Sequence, residues 1–297
     1  MLLFLLLLLF ADPPQSTVLL KHGLVALQRG DLAEARKDLE QASAADQRNP
    51  YIWSSLAETY FRLNNRKDAL SAAATAEKFD DGSRVLAHAL GIFYFNYADT
   101  LLHEEQFTEA ADLLTTALKH QPDDAQLTVA LGVARYGQRR FDEAIALFLK
   151  TIALAPDAQQ PYIFLGKMLD QAGGHLAEIT ADCERWAAAN PQSAIAQLVL
   201  AKALLASDSH SERALDLLRK SIALDGKNWE AHYELGVLLE GKHDYQAAAT
   251  ELEASAALDP KQAMPHYHLA RVYDRLGQSD RAKSEREIHQ RLTSPAH

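Results

Sequence analysis

At 297 residues the chain has room for two ordinary domains, but a repeat array escapes that count because it adds core one unit at a time. Apolar residues make up 48%, with Ala and Leu dominant and Gly and Pro sparse, which points to a helical protein with a continuous core. A net charge of -10 argues against nucleic acid as the main ligand, since neutralising phosphates takes clustered Lys and Arg, and the single cysteine, Cys183, excludes an intrachain disulfide or a cysteine-built metal cluster.

Residues 1–15 read as a hydrophobic leader. Met1 to Phe10 is MLLFLLLLLF, followed by Ala11-Asp12-Pro13-Pro14. This run falls short of the about 20 residues that a spanning helix needs, and it matches the core of a signal peptide. Ala11 suits a cleavage site, but no Lys or Arg precedes the core and Leu9 stands where a small residue is usual. Three readings stay open. The run is a truncated signal peptide and the protein is exported, periplasmic or secreted; or it is a helix capping the first repeat of a cytoplasmic protein; or it is a membrane anchor. No integral membrane span is expected. Pro13-Pro14 ends the leader, and Ser16 or Thr17 is expected to cap the helix that follows.

From there the chain divides into units near 16–49, 50–83, 91–124, 125–158, 159–193, 194–228, 229–262 and 263–292, with a tail at 293–297. The first carries Gly23, then Gly30-Asp31-Leu32, then Ala35, Leu39 and Ala42. Gly30 suits a bend between two helices, and Asp31 suits the cap of the second. The second unit has Trp53, Leu56-Ala57 and Tyr60, with small residues at Ala69 and Ala76 that let helices approach closely. Arg84 to Leu90 precede the third unit, and the simplest account is a longer first helix from about Ser83 to His103. Its Phe93, Tyr94, Phe95 and Tyr97 fit either core packing around the inserted turn or an aromatic patch on a binding surface.

The fourth unit, Ala125 to Ala158, is the regular one: Leu131-Gly132, Phe141, Ala144, Phe148 and Pro156. The same skeleton returns in the seventh as Leu235-Gly236, Tyr245, Ala248, Leu252 and Pro260. The fifth keeps Tyr162, Leu165-Gly166 and Pro191, but its turn, Ala172-Gly173-Gly174-His175, is stretched by one residue. Its second helix carries Ile179, Cys183 and Trp186 where small residues are usual, and Cys183 reads as inert packing. The sixth has Leu200-Ala201 and a polar turn at Ser207 to Ser211. The eighth ends in a strongly polar helix, as the last member of an array must, because no neighbour covers it.

A skeleton recurring with a period of about 34 residues resembles the tetratricopeptide repeat family. The resemblance runs from about Ser16 to Leu292. It implies an all-α fold, a right-handed superhelical solenoid of about eight tandem helix-turn-helix units. It also implies that the first helix of each unit lines a concave groove where a partner peptide or helix binds. The corresponding positions are Ser54, Glu58 and Phe61; Phe95, Asp99 and Leu102; Val129, Val133 and Tyr136; Ile163, Lys167 and Asp170; Leu198 and Lys202; Tyr233 and Glu240; and Tyr267, Arg271 and Asp274. The subfamily that clamps a chaperone's C-terminal carboxylate uses Lys and Asn, where this chain has Leu20, Leu24 and Ser55, so that ligand is disfavoured. The implied groove is apolar and aromatic at its centre, with acids at Glu58 and Asp99 and cations at Lys167, Lys202 and Arg271. Such a surface suits an amphipathic peptide held by apolar anchors and oriented by charge.

No stretch of catalytic-domain length stands outside the units, and the chain lacks GxxxxGK, GxSxG and HExxH motifs. His266 and His268, two apart on a helix, point to different faces and make poor co-ligands. No catalytic residue, metal or cofactor is expected. The expected function is a non-catalytic scaffold that binds a protein or peptide partner, in assembly of an exported or envelope complex. The alternatives are a structural or self-associating subunit docking through its convex face, and an accessory subunit of an enzyme in trans.

Overall fold

The computed structural model describes residues 14–294, so nearly all of the leader and the last residues of the tail lie outside the described residues. Every regular element among the described residues is helical. The chain forms two compact units, Met1–Arg139 and Arg140–His297.

The first unit contains α1 (Gln15–Arg29), α2 (Leu32–Ala45), α3 (Pro50–Arg62), α4 (Arg66–Lys78), α5 (Arg84–His103), α6 (Phe107–His120) and α7 (Ala125–Gly137). Consecutive helices pack as pairs, α1 on α2, α3 on α4 and α5 on α6, and α3 also packs on α2 and α5. Local chemistry sets the limits. The Asp31 carboxylate accepts the Glu34 amide at 3.1 Å, and Asn49, Ser83 and Asp124 do the same service for α3, α5 and α7. Gly30, with φ 80, turns the chain from α1 into α2, and Asn64 and Glu105, both with φ 58, make the corresponding bend without glycine.

One cap differs from expectation. α1 begins at Gln15, directly after Pro14, and the Pro14 carbonyl accepts the Thr17 amide at 2.8 Å. Ser16 and Thr17 are therefore inside the first turn, and no side chain caps it. Proline's fixed φ and free carbonyl start the turn instead. The inserted turn of α5 is spent on the core, because Leu86 and Leu90 are fully buried.

The second unit contains α8 (Phe141–Leu154), α9 (Gln159–Gly166), α10 (Leu176–Ala189), α11 (Ala194–Ser207), α12 (Glu212–Leu224), α13 (Trp229–Gly241), α14 (Tyr245–Leu258), α15 (Ala263–Arg275) and α16 (Ser279–Thr293). The pairs α11–α12, α13–α14 and α15–α16 repeat the regular packing around one core that includes Leu198, Leu218, Leu235, Leu252 and Tyr273. Only Ala282 of α16 is buried, so most of that helix's surface meets water.

The α9–α10 pair departs further than a stretched turn. α9 stops at Gly166 after 8 residues, and two 3-10 turns, Leu169–Gln171 and Gly173–His175, lead into α10. α9 packs mainly on α8 and α11 rather than on α10. Side chains bridge the gap: the Tyr162 ring stacks on the Trp186 indole at 4.4 Å and 5°. Cys183 is fully buried beside them, which fits the packing role expected of it.

Candidate partner-binding surface

In the first unit the mapped positions divide between packing and surface. Ser54 is largely buried, its hydroxyl donating to the Tyr51 carbonyl at 3.1 Å. Glu58 is held by Arg62 Nε at 2.6 Å, one helical turn on. Phe61 is half-buried, its ring 5.2 Å from Tyr97 and 6.2 Å from Phe93. Phe93, Tyr94 and Tyr97 belong to the core, and burial pushes the Tyr94 and Tyr97 phenols up. Phe95 alone of that aromatic group stays at the surface, where with Ile92, Asn96 and Leu127 it lines a hollow of about 240 Å3. Asp99 is exposed, 3.7 Å from His103 Nδ1. Val129 is buried, only 9% exposed, and Val133 and Tyr136 are half-buried.

In the second unit Ile163 is half-buried on α9, whereas Lys167 and Asp170 lie beyond its last residue, outside any α-helix. The Lys167 ammonium rests 5.5 Å from the Phe164 ring. On α11, Leu198 is fully buried in the core rather than facing a groove, and Lys202 is not a free cation. It forms an ion pair with Glu230 and a second, at 3.9 Å, with Glu234, both on α13. Burial raises the Glu234 carboxyl above its ordinary value, with Lys202 pulling it down and Glu230 pushing it up. Sequence reasoning missed this triad. The i, i+4 spacing of Glu230 and Glu234 was a visible signal, but the pairing with a lysine 28 residues earlier depends on how α11 meets α13.

The densest cluster lies where α13 meets α15. Tyr233 is half-buried, tilted against Trp229 at 6.3 Å and edge-on to His268 at 5.7 Å. Burial, then the carboxylates of Glu234 and Glu240, push its phenol up to about 12. His268 Nδ1 lies 2.6 Å from Glu240, which also holds the Arg271 guanidinium at 3.1 Å. Arg271 sits 5.6 Å from the Tyr267 ring, and that ring is edge-on to His268 at 5.2 Å. Tyr267 remains 41% exposed, so it presents an apolar face to solvent while its neighbours are tied down. Beside it a hollow of about 260 Å3 is lined by Val237, Glu240, His268 and Arg271. His266 points elsewhere, to Glu285 at 2.6 Å, as the two-residue spacing requires.

Among the described residues no group of three or more His, Cys, Asp or Glu side chains is placed to hold a metal ion, and no helix is long and apolar enough to cross a membrane.

Models of the Tetratricopeptide repeat match residues 26–90, 95–159 and 198–263, together more than half of the chain. Solved structures of similar fold include the C-terminal part of a TPR repeat-containing protein from Cytophaga hutchinsonii, with TM-score 0.59 and 18% identity, covering 84% of this chain and 99% of that one. A thermophilic TPR protein of Thermus thermophilus aligns with TM-score 0.50 and 19% identity, covering 57% of this chain and 92% of that one. MamA of Desulfovibrio magneticus, from residue 41 onward, aligns with TM-score 0.49 and 22% identity, covering 58% and 97% respectively. At such identities the likeness concerns fold alone. No curated protein matches the chain.

Proposed function

This chain belongs to the tetratricopeptide repeat family, and from that premise we propose that it is a non-catalytic scaffold whose first helices hold an amphipathic peptide or helix of a protein partner. The observation that carries the reading is the α13–α15 surface. Tyr267 is exposed, while the groups around it are locked by the Glu240–His268–Arg271 network. An apolar anchor held in place costs little entropy on binding, and an adjacent guanidinium orients an acidic group of the partner. The apolar leader favours an exported or envelope setting for the complex.

The test is capture of the native partner by purified protein. Tyr267→Ala combined with Arg271→Glu weakens capture at least about tenfold on this reading, since aromatic and arginine anchors dominate interfaces. Lys202→Glu acts first on stability, because it places three carboxylates together. Capture that survives substitution at Phe95, Tyr233, Tyr267 and Arg271 alike rules out the first-helix surface.

A further inference from the structure

Between α8 and α10, the second helices of consecutive pairs, lies a cavity of about 470 Å3. Across it the Tyr162 ring of α9 stacks on the Trp186 indole of α10. The stack and Ile152 form the floor, and the Tyr162 hydroxyl is occupied in donating to the Pro156 carbonyl at 3.0 Å. Leu149, Ala153 and Ala189 complete the apolar lining.

The mouth carries Asp157, Glu178 and Asp182 against one guanidinium, Arg185. Asp182 is the informative member. Its side chain is only 7% exposed, yet the Arg185 that pairs with it is 72% exposed and comes from the next turn of the same helix. A carboxylate kept out of water needs a countercharge, and a solvated arginine is a weak, exchangeable one. The volume falls within the roughly 300–1,000 Å3 of ordinary ligand sites, and an apolar body with a few converging polar groups is their usual composition.

We propose that this cavity binds an amphipathic cation: an apolar or aromatic body carrying one ammonium or guanidinium group. The body lies on Leu149, Ala153 and Ala189 above the Tyr162–Trp186 stack, and the head takes the Asp182 carboxylate from Arg185. Three carboxylates to one cation at the mouth disfavour an anion. The site shares no residue with the Tyr267 surface, so its occupation is independent of the first-helix reading. Such a ligand has two sources, a free organic amine or a Lys or Arg side chain in an apolar stretch of a partner polypeptide.

Titration calorimetry on the full chain separates them. One arm uses phenethylammonium, with 2-phenylethanol as its neutral counterpart. The other uses acetyl-Leu-Lys-Leu-amide, with norleucine replacing lysine as control. Saturable binding of either cation is expected, with the neutral counterpart weaker by about tenfold or more, the scale of a charge-assisted contact. Binding of phenethylammonium alone assigns a free amine, and binding of the peptide assigns a polypeptide. Ala189→Leu, at an exposed position of the lining, narrows the cavity and weakens binding. Asp182→Asn weakens it about tenfold, and Arg185→Ala tightens it by removing the competing cation. Should Asp182→Asn fail to fold, the other two variants decide. The proposal is overturned if neither cation binds, if the neutral compounds bind as well, if Ala189→Leu binds undiminished, or if Arg185→Ala weakens binding.

Discussion

A methyl group placed on Gly236 would stand 2.6 Å from Leu252 Cγ and 3.3 Å from the Ala248 carbonyl oxygen. Gly23 faces Leu39 at the same 2.6 Å. Leu39 and Leu252 are fully buried and have nowhere to go, so Gly236→Ala costs about 1–3 kcal/mol through overpacking. Gly166 is the contrasting case. An added methyl meets Val199 no closer than 3.4 Å, and alanine's better helix propensity offsets the contact, leaving Gly166→Ala within about 0.5 kcal/mol of the parent. Paired thermal melts check this, and equal losses at the two sites would refute it. Glu234 supplies a second test. Its side chain is 21% exposed, and burial raises its folded carboxyl above the ordinary value. For a raised group, stability is fully present below the unfolded carboxyl's value, about 4.3, and is lost as pH rises through the folded one. Glu234→Gln keeps the group neutral while Glu230 still pairs with Lys202, so it stabilises by roughly 1 kcal/mol at about pH 7 and by nearly nothing at about pH 4. Urea midpoints at the two pH values measure the difference. An equal gain at both would mean that ionisation has no part in it.

Helix limits in this chain are decided by single side chains at the junctions. Asn228 accepts the amides of Glu230 at 3.0 Å and Ala231 at 3.3 Å, so Asn228→Ala leaves two donors of α13 to water and costs about 1 kcal/mol. Asn228→Asp restores most of it, and a chemical-denaturation series on the three proteins reads both steps. These junctions are what made the paired helices legible: Gly30-Asp31 announces a bend and a cap within two residues. The end of α9 was not legible. Lys167 to Gln171 contains nothing that forbids a helix, and the break serves packing instead, since Met168 and Ala172, each 1% exposed, are turned into the core by the 3-10 turns. The same limit applies to the surface. Which residues lie on the first helices followed from the repeat, but the capture of Lys202 by two carboxylates followed from tertiary packing. A segment with no continuous ladder opens easily, so amides across 166–175 exchange faster than those of α13 and α14. Hydrogen exchange resolved by peptide tests this, and protection across 166–175 equal to that of α13 would contradict it.

Across the whole molecule the buried acids of high pKa all shift one way. Cys183 is pushed up to about 12 by burial, Tyr60 and Tyr233 reach about 12, and Tyr94 and Tyr273 are raised further, again with burial as the leading cause. In the unfolded chain a thiol titrates near about 8.5 and a phenol near about 10. Each group therefore holds its proton longer when folded. Its stabilisation is intact below the unfolded value and is lost as pH rises towards the folded one. Among these groups the first loss begins above about 8.5 and comes from Cys183, at up to roughly 1.4 kcal/mol per pH unit; the phenols add to it above about 10. Urea midpoints are thus flat from about pH 7 to about pH 8.5, then fall, and fall more steeply beyond about pH 10. Cys183→Ala creates a small cavity and lowers the whole curve, but it removes the first decline, so its midpoint stays level until the tyrosines titrate. A wild-type midpoint unchanged up to about pH 10, or a variant that declines from about pH 8.5 as the parent does, would show that the Cys183 thiol is not the group being released. The same burial keeps the thiol from alkylating agents in the folded protein, so iodoacetamide labels Cys183 only through its opened state, slower than a free thiol by the fraction of protein open.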